Sequence, residues 1–325
     1  MKDFQNEVGE GMTRKIRVIL MGGLGNQLFQ YAFALSLSKK YGREVIIDPN
    51  FAAIRLDENG LPEISKYALD ANVFLAEHAE YPALVKRMVG LGIRLGLAHE
   101  RIFNKVALTL LNRLLEVYLS IHFKESVQIV FGKDNGFDQS YSEKDFSLFI
   151  GYFQSYEFCS ALSVKETLNS LKPKTNSSIV TSFTEKADLD APLIVHIRLT
   201  DYRNEVNFGI PSKDYYERAI ADQIQTGLFR RIWLFSDEPN EAVDFIPERY
   251  RLLVENVSNQ NLGTVDTLEV MRLGRGYVIA NSSYSWWGAY LSRNPAARTI
   301  FPNPWFSGMP TPDRLCPPDW LPFTR

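Results

Sequence analysis

Three short stretches carry residue types that could grip and activate a charged substrate. The first is Val195-His196-Ile197-Arg198-Leu199-Thr200-Asp201-Tyr202, an apolar run that turns polar at its end. If the run is a strand, alternation places His196 and Arg198 on one face, opposite Val195 and Ile197. A guanidinium at a strand's C-terminal end can hold a diphosphate through paired hydrogen bonds and stabilise charge on a departing group. Equally, Arg198 and Asp201 could form a structural ion pair, and His196 a satisfied core histidine. The second stretch is Ala280-Asn281-Ser282-Ser283-Tyr284-Ser285-Trp286-Trp287-Gly288, where a strand gives way to hydroxyls and then to a helix. The free N–H groups of a helix start attract anions, which makes Asn281, Ser282, Ser283 and Ser285 a candidate phosphate cradle. N-capping by Asn281 or Ser282, with the tryptophans in the core, is the plainer reading, and the two are compatible.

The third stretch, Gly22-Gly23-Leu24-Gly25-Asn26-Gln27, follows the apolar Ile16 to Met21. Gly23 and Gly25 match part of a dinucleotide loop, with Asp48 as the ribose acid. The third glycine position is Leu28, however, where close helix–strand packing wants a small residue. A tight turn, or a loop that brings backbone and the Asn26 and Gln27 amides close to a ligand, fits better. Further candidates are Ser236 and Asp237 at a strand end. Asp266 stands before a helix, where a carboxylate could accept both guanine N–H groups or cap that helix.

The elements that must position these residues alternate between strand and helix. Ile16 to Met21 reads as a strand, Leu28 to Tyr41 as a helix closed by Gly42, and Val45 to Ile47 as the next strand. Residues 60–125 read as mostly helical, with Leu108, Leu111, Leu115 and Leu119 along one face. The polar stretch Lys172 to Asp190 reads as holding a domain boundary. Beyond it come strand Leu193 to Ile197, helix Asp214 to Ile224, strand Arg231 to Phe235, helix Val265 to Leu273, strand Tyr277 to Ala280 and a helix opening near Ser282. Repeated strand–loop–helix order gives an α/β fold with doubly wound sheets that bind ligands at the strands' C-terminal ends.

Composition narrows the classes. A net charge of -2 over 325 residues argues against nucleic-acid binding. Cys159 and Cys316 cannot build a disulfide framework, and His78, His99, His122 and His196 have no partners at metal-ligand spacing, so no metal is expected. Met1 to Lys15 lacks the apolar core of a secretory signal and reads as a polar leader. Charges interrupt the apolar stretch 84–123, so no membrane span is expected there. Its basic lean implies weak peripheral contact with anionic headgroups.

Taken in order, these motifs resemble glycosyltransferase family 11, the α-1,2-fucosyltransferases. Gly22 to Ala32 is similar to the family's N-terminal signature, Val195 to Arg198 with Asp201-Tyr202 to its donor motif, Asn281 to Gly288 to its third, and Phe301-Pro302-Asn303-Pro304-Trp305-Phe306 to its closing element. The resemblance implies a GT-B architecture of two Rossmann-like domains facing across a cleft. The expected division is a leader 1–15, an acceptor-side domain 16–178 and a GDP-fucose-binding domain 179–325. It implies inverting, metal-independent and cofactor-free transfer of L-fucose from GDP-fucose to the 2-hydroxyl of a terminal galactose on a surface oligosaccharide such as O-antigen. The location implied is the cytoplasm, with peripheral contact at the inner membrane. Arg198 would contact the β-phosphate, His196 the ribose or base side, Asp266 the guanine, and Asn26 the sugar-diphosphate. Asp201 and Glu205 are the candidate bases. Leu199 and Thr200 stand where the family motif has a second arginine and a glycine. A fucosyltransferase of other linkage or acceptor class, a dehydrogenase and an inactive GDP-sugar-binding module remain alternatives.

Overall fold

The computed structural model describes residues 16–50, 54–76, 85–91, 102–123, 127–131, 146–205, 207–260, 262–308, 311–312 and 314–325. The leader Met1 to Lys15, His78 and His99 lie outside the described residues. Two compact units divide the chain. One is Met1–Lys172 with Pro312–Leu315, the other Pro173–Thr311 with Cys316–Arg325.

The first unit is built on strands β1 (Ile16–Ile19), β2 (Val45–Asp48), β3 (Val73–Leu75), β4 (Val127–Phe131) and β5 (Phe146–Ile150) in the order β3-β2-β1-β5-β4. All the pairings are parallel. Every residue of β1 and β2 is buried, as a parallel sheet covered on both faces requires. Helix α1 (Leu24–Tyr41) is apolar on nearly every side and correspondingly buried, and Gly42 ends it in the left-handed conformation with its N–H on Ser38 O. The helix starts at Leu24 rather than Leu28, so Gly25, Asn26 and Gln27 form its first turn instead of a loop. Between α1 and β4 the described residues are mostly helical, as the sequence reading expects: a 3-10 turn at Glu63–Lys66 and the short strand β3 are followed by helical residues 85–91 and by α2 (Ile102–Phe123). Of the four leucines expected along one face, Leu115 and Leu119 of α2 pack on Ile129, Leu148 and Ile150, Leu111 is half-buried, and the Leu108 side chain lies outside the described residues. Leu110, Leu114, Val117 and Ile121 lie exposed on another face, where Arg113 is exposed as well.

The second unit opens with α3 (Ser178–Asp190), which occupies most of the polar stretch Lys172 to Asp190. That segment is held by two buried side chains, Phe183 and Ala187, with Phe183 edge-on to Trp233 at 5.1 Å. The sheet contains β6 (Pro192–Ile197), β7 (Arg231–Ser236), β8 (Val254–Asn256), β9 (Gly276–Val278), β10 (Arg298–Asn303) and β11 (Leu321–Thr324). Its order is β11-β10-β9-β6-β7-β8, all parallel. Helices α4 (Lys213–Ile224), α5 (Thr264–Met271) and α6 (Ser283–Tyr290) connect the strands. The chain winds outward from β6 through β7 to β8, then returns beside β6 and winds the other way. This is the doubly wound order of nucleotide-binding sheets, and ligands bind where it reverses.

Both units are therefore α/β with parallel, Rossmann-like sheets, as the strand–helix alternation implies. Each has one reversal point, between β1 and β5 in the first and between β6 and β9 in the second.

Candidate functional site

The reversal point of the second sheet gathers most of the predicted residues. Arg198 follows β6 directly, Ser236 and Asp237 end β7, and Asn281 to Ser283 follow β9. Because β6 lies between β7 and β9, all three groups share one sheet edge. Arg198 is half-buried and grips Asp201 with two hydrogen bonds, Nε to Oδ1 at 2.8 Å and Nη2 to Oδ2 at 3.0 Å. Asp237 Oδ2 lies 3.3 Å from the Arg198 Nε. Burial opposes the charge on Arg198, but the bonds to Asp201 and the field of Asp237 prevail and raise its pKa.

Asp237 does more than balance charge. Its oxygens accept Leu199 N at 2.9 Å and Thr200 N at 3.0 Å, and the Thr200 hydroxyl donates to Oδ2. Burial pushes its pKa up, yet these bonds and the nearby guanidinium leave it lowered. Asp237 thereby fixes the turn that carries Arg198. The residues at the motif's departures, Leu199 and Thr200, serve that turn: Leu199 is wholly buried and Thr200 supplies two donors.

His196 is 5% exposed, and its Nδ1 has no hydrogen-bond partner. Burial first, then the Arg198 charge, drives its pKa down to about 3 against the opposing pull of Asp237. The ring is neutral at physiological pH. Ser282 is the N-cap of α6 and accepts the Tyr284 N–H at 3.3 Å, so the plain capping reading holds. The first turn of α6 contains no acidic residue, which leaves its positive end uncancelled. Gly288 brings α6 tight against α5, since a Cβ there would meet Met271 Cβ at 3.0 Å.

Other predicted residues are committed within the fold. Asn281 is buried and donates Nδ2 to Phe208 O and Gly209 O, both at 3.0 Å, tying down the loop that follows Arg198. Ser285 is buried and bonds to Ser282 O. Ser236 accepts the Glu238 N–H at 3.0 Å, a local turn contact. One oxygen of Asp266 accepts the Ser177 hydroxyl at 2.9 Å. Asp201 spends both oxygens on Arg198, which makes it an orienting partner of the guanidinium; Glu205 is exposed on the same loop. Tyr202, whose role the motif alone does not indicate, donates its hydroxyl to Asn281 O at 3.0 Å and links the two motifs.

The glycine segment of the first unit behaves differently. Glu63, nearly 40 residues along the sequence, places Oε2 2.9 Å from the Leu24 N–H and closes the start of α1 with an internal carboxylate. Gln27 is wholly buried. Its Nε2 donates to Gly22 O and Arg55 O, and its Oε1 accepts the Ile64 N–H, so the amide expected to serve a ligand instead braces the turn. Asp48 is wholly buried against Arg17 at 2.8 Å and caps Asn50, which removes it as a ribose acid. With the helix end closed and that acid paired, the dinucleotide reading has no site here. Asn26 keeps a different partner, Gln154, whose Nε2 donates to its Oδ1 at 2.9 Å. Nothing in the spacing of the sequence marks Glu63 or Gln154. The nearest signal for the latter is a polar pair, Gln154-Ser155, soon after an apolar strand.

Phe153, immediately before Gln154, has φ 51°. A bulky residue in that left-handed region costs about 1–3 kcal/mol. The conformation is held by packing: its ring stacks on Phe33 at 3.9 Å and meets Phe158 edge-on. Among the described residues no group of three or more His, Cys, Asp and Glu is placed to hold a metal ion, and no helix is long and apolar enough to cross a membrane.

Fold and site together define a protein of two Rossmann-like units, one with an oriented guanidinium beside a helix start free of acidic residues at its reversal point. Two curated relatives from Escherichia coli sharpen this. The chain is 25% identical over 307 residues to an alpha-1,2-colitosyltransferase, covering 88% of this chain and 91% of that protein. It is 31% identical over 118 residues to the O-antigen biosynthesis glycosyltransferase WbnK, covering 35% of this chain and 39% of that one, so it spans well under half of that relative. No protein-family model matches. Among solved structures, NodZ alpha-1,6-fucosyltransferase soaked with GDP-fucose gives a TM-score of 0.47 at 12% identity, covering 92% of this chain and 99% of that one. POFUT1 in complex with GDP-fucose gives 0.47 at 14% identity, covering 89% and 98%. The glycosyltransferase resemblance read from the motifs is thus matched by relatives that are themselves glycosyltransferases.

Proposed function

We propose that this chain transfers a deoxyhexose, L-fucose, from its GDP conjugate to the 2-hydroxyl of a terminal galactose on a surface oligosaccharide. The observation that carries the reading is Arg198, oriented by Asp201 and Asp237 at the reversal point that also bears the open start of α6. As GDP departs, negative charge grows on its β-phosphate. A preorganised guanidinium and free helix N–H groups stabilise that charge without reorganising. Neutral His196 lies on the same strand and suits the ribose or base side, and the remaining oxygen of Asp266 suits a guanine N–H. Glu205, exposed and not bound to Arg198, is the better candidate than Asp201 for taking the acceptor proton. The transfer is proposed to be inverting and independent of metal and cofactor. The colitosyltransferase relative supports sugar transfer with a 1,2 linkage, although its own sugar is colitose by name.

The test is GDP release from GDP-fucose with EDTA present and a panel of β-galactosides, followed by linkage analysis of the product. Turnover that needs galactoside, survives EDTA and gives a 1,2 linkage is expected, with Glu205→Gln at least tenfold slower. Release that proceeds only without galactoside, or a product of other linkage, would discard the acceptor reading. Exposed Leu110, Leu114, Val117, Ile121, Arg113, Lys86 and Arg87 support peripheral contact with an anionic bilayer. Flotation with anionic but not neutral liposomes is the expected outcome; equal recovery with both would remove it.

A further inference from the structure

We infer that Asn281 and Arg325 are positioning residues that hold the turn carrying Glu205 through one backbone carbonyl, that of Phe208. The inference deepens the transferase reading and rests on it for the role of Glu205 as the base. Among the described residues from Arg198 to Ser212 the only regular element is the 3-10 turn Asp201–Arg203. Local structure alone therefore leaves Glu205 on a loose loop. Misplacing a reacting group by about 1 Å can cost ~100-fold in rate, so a base on a loop needs other segments to hold it.

Those segments are present. Three donors converge on the Phe208 carbonyl, one more than its two lone pairs: Asn281 Nδ2 at 3.0 Å, Arg325 Nη1 at 3.0 Å and the Ser307 N–H at 3.2 Å. Each follows a different strand, β9, β11 and β10 respectively. Asn281 also donates to Gly209 O at 3.0 Å, and Arg325 Nη1 to Trp305 O at 3.2 Å. On the other side of the turn, Phe208 N and Gly209 N donate to the Glu205 carbonyl at 3.0 and 3.2 Å. The turn fixes the Glu205 backbone, and Asn281 and Arg325 fix the turn. The packing allows it little movement. Gly209 has φ 62°, and a Cβ there would meet Ser307 Oγ at 2.6 Å and Arg325 Nη2 at 2.9 Å. The Phe208 ring lies 5.2 Å from Tyr202 and 5.3 Å from Phe306. Asn204, Glu205 and Asn207 nevertheless stay exposed at the rim. A loop that merely joined β6 to α4 could move without loss; one that presents a base could not.

Hydrogen exchange on the full chain, beside steady-state kinetics with GDP-fucose and a β-galactoside, tests this. Arg325→Ala should speed exchange about tenfold or more across 205–209 while leaving GDP affinity and melting temperature unchanged. Arg325→Lys, which keeps a donor, should restore most of the protection. The turnover number of Arg325→Ala should fall about tenfold with KM for GDP-fucose unchanged. In a Glu205→Gln background the same substitution should change turnover by no more than about twofold, because the group it positions is gone. Asn281→Ser, which gives up the amide donations, should repeat the exchange result. Unchanged exchange at 205–209 in both variants would overturn the inference, as would an equal loss of turnover in both backgrounds. A drop in melting temperature with faster exchange throughout the second unit would also overturn it, by making the contacts merely structural. Lower GDP affinity in Asn281→Ser would make that residue a donor ligand and overturn its part. Faster exchange confined to 205–209, in a protein that releases no GDP from GDP-fucose, would leave the tether standing and sink the transferase reading instead.

Discussion

The two sheets share parallel strands, a helix that starts at the reversal point and a glycine or serine turn leading into it, yet their helix ends have opposite electrical fates. In the first unit Glu63 reaches the Leu24 N–H and neutralises the start of α1 from within. In the second no acid occupies the first turn of α6, and Arg198 with its two carboxylate partners stands at the same sheet edge. A Rossmann-like sheet thus supplies a crevice, and side chains from elsewhere decide whether it takes an anion. Glycine content misleads here: the glycine-rich turn carries the closed end, and the serine-rich turn the open one.

The largest expected effect is on the open end. Arg198→Ala removes the guanidinium that Asp201 and Asp237 hold at this edge and leaves both carboxylates without it. The turnover number should fall ~100-fold or more. GDP affinity measured by calorimetry should fall with it. Retained GDP affinity would mean that the diphosphate sits elsewhere and would break the contrast between the two ends.

Opening the closed end should do something else. Glu63→Ala strips the acceptor from a buried backbone donor, which costs about 1–3 kcal/mol of stability. Denaturant midpoints check that loss, and GDP affinity should not change. A variant that gained a second GDP site would show that Glu63 alone excludes anions from the first unit, sharpening the comparison.

Much of this was readable from residue types. The apolar runs mark the strands, and Gly42 marks the end of α1 because its φ of 64° suits glycine. The serine cluster marks the start of α6. Arg198 and Asp237 are conspicuous as charges that end apolar strands. What sequence could not reveal depends on contacts between distant segments. Glu63 looks like any surface acid until the fold carries it to Leu24, and Gln27 looks like a ligand amide until Gly22, Arg55 and Ile64 consume it. The polar composition of Ser178–Asp190 hides a helix because only Phe183 and Ala187 face inward. Period and propensity are local signals, whereas the pairing of a polar group is a tertiary one.

The smallest effect separates the two reversal points by pH. His196 normally titrates near 6.5, and burial, with Arg198 adding to it, pushes the folded value down to about 3. The unfolded chain therefore takes up a proton near pH 6.5 that the folded chain refuses until much lower pH. Between those values the unfolded state binds more protons, so stability is fully present above 6.5 and declines as pH falls toward 3. One such residue contributes a slope of about 1.4 kcal/mol per pH unit. The amide pair of the first unit, Asn26 and Gln154, has no such titration. In urea unfolding at a series of pH values, wild type minus His196→Gln should show this slope below pH 6.5 and none above it. Wild type minus Gln154→Ala should be flat throughout. Parallel curves for wild type and His196→Gln would show that the imidazole is not held neutral, and the donor edge would then carry a second cation beside Arg198.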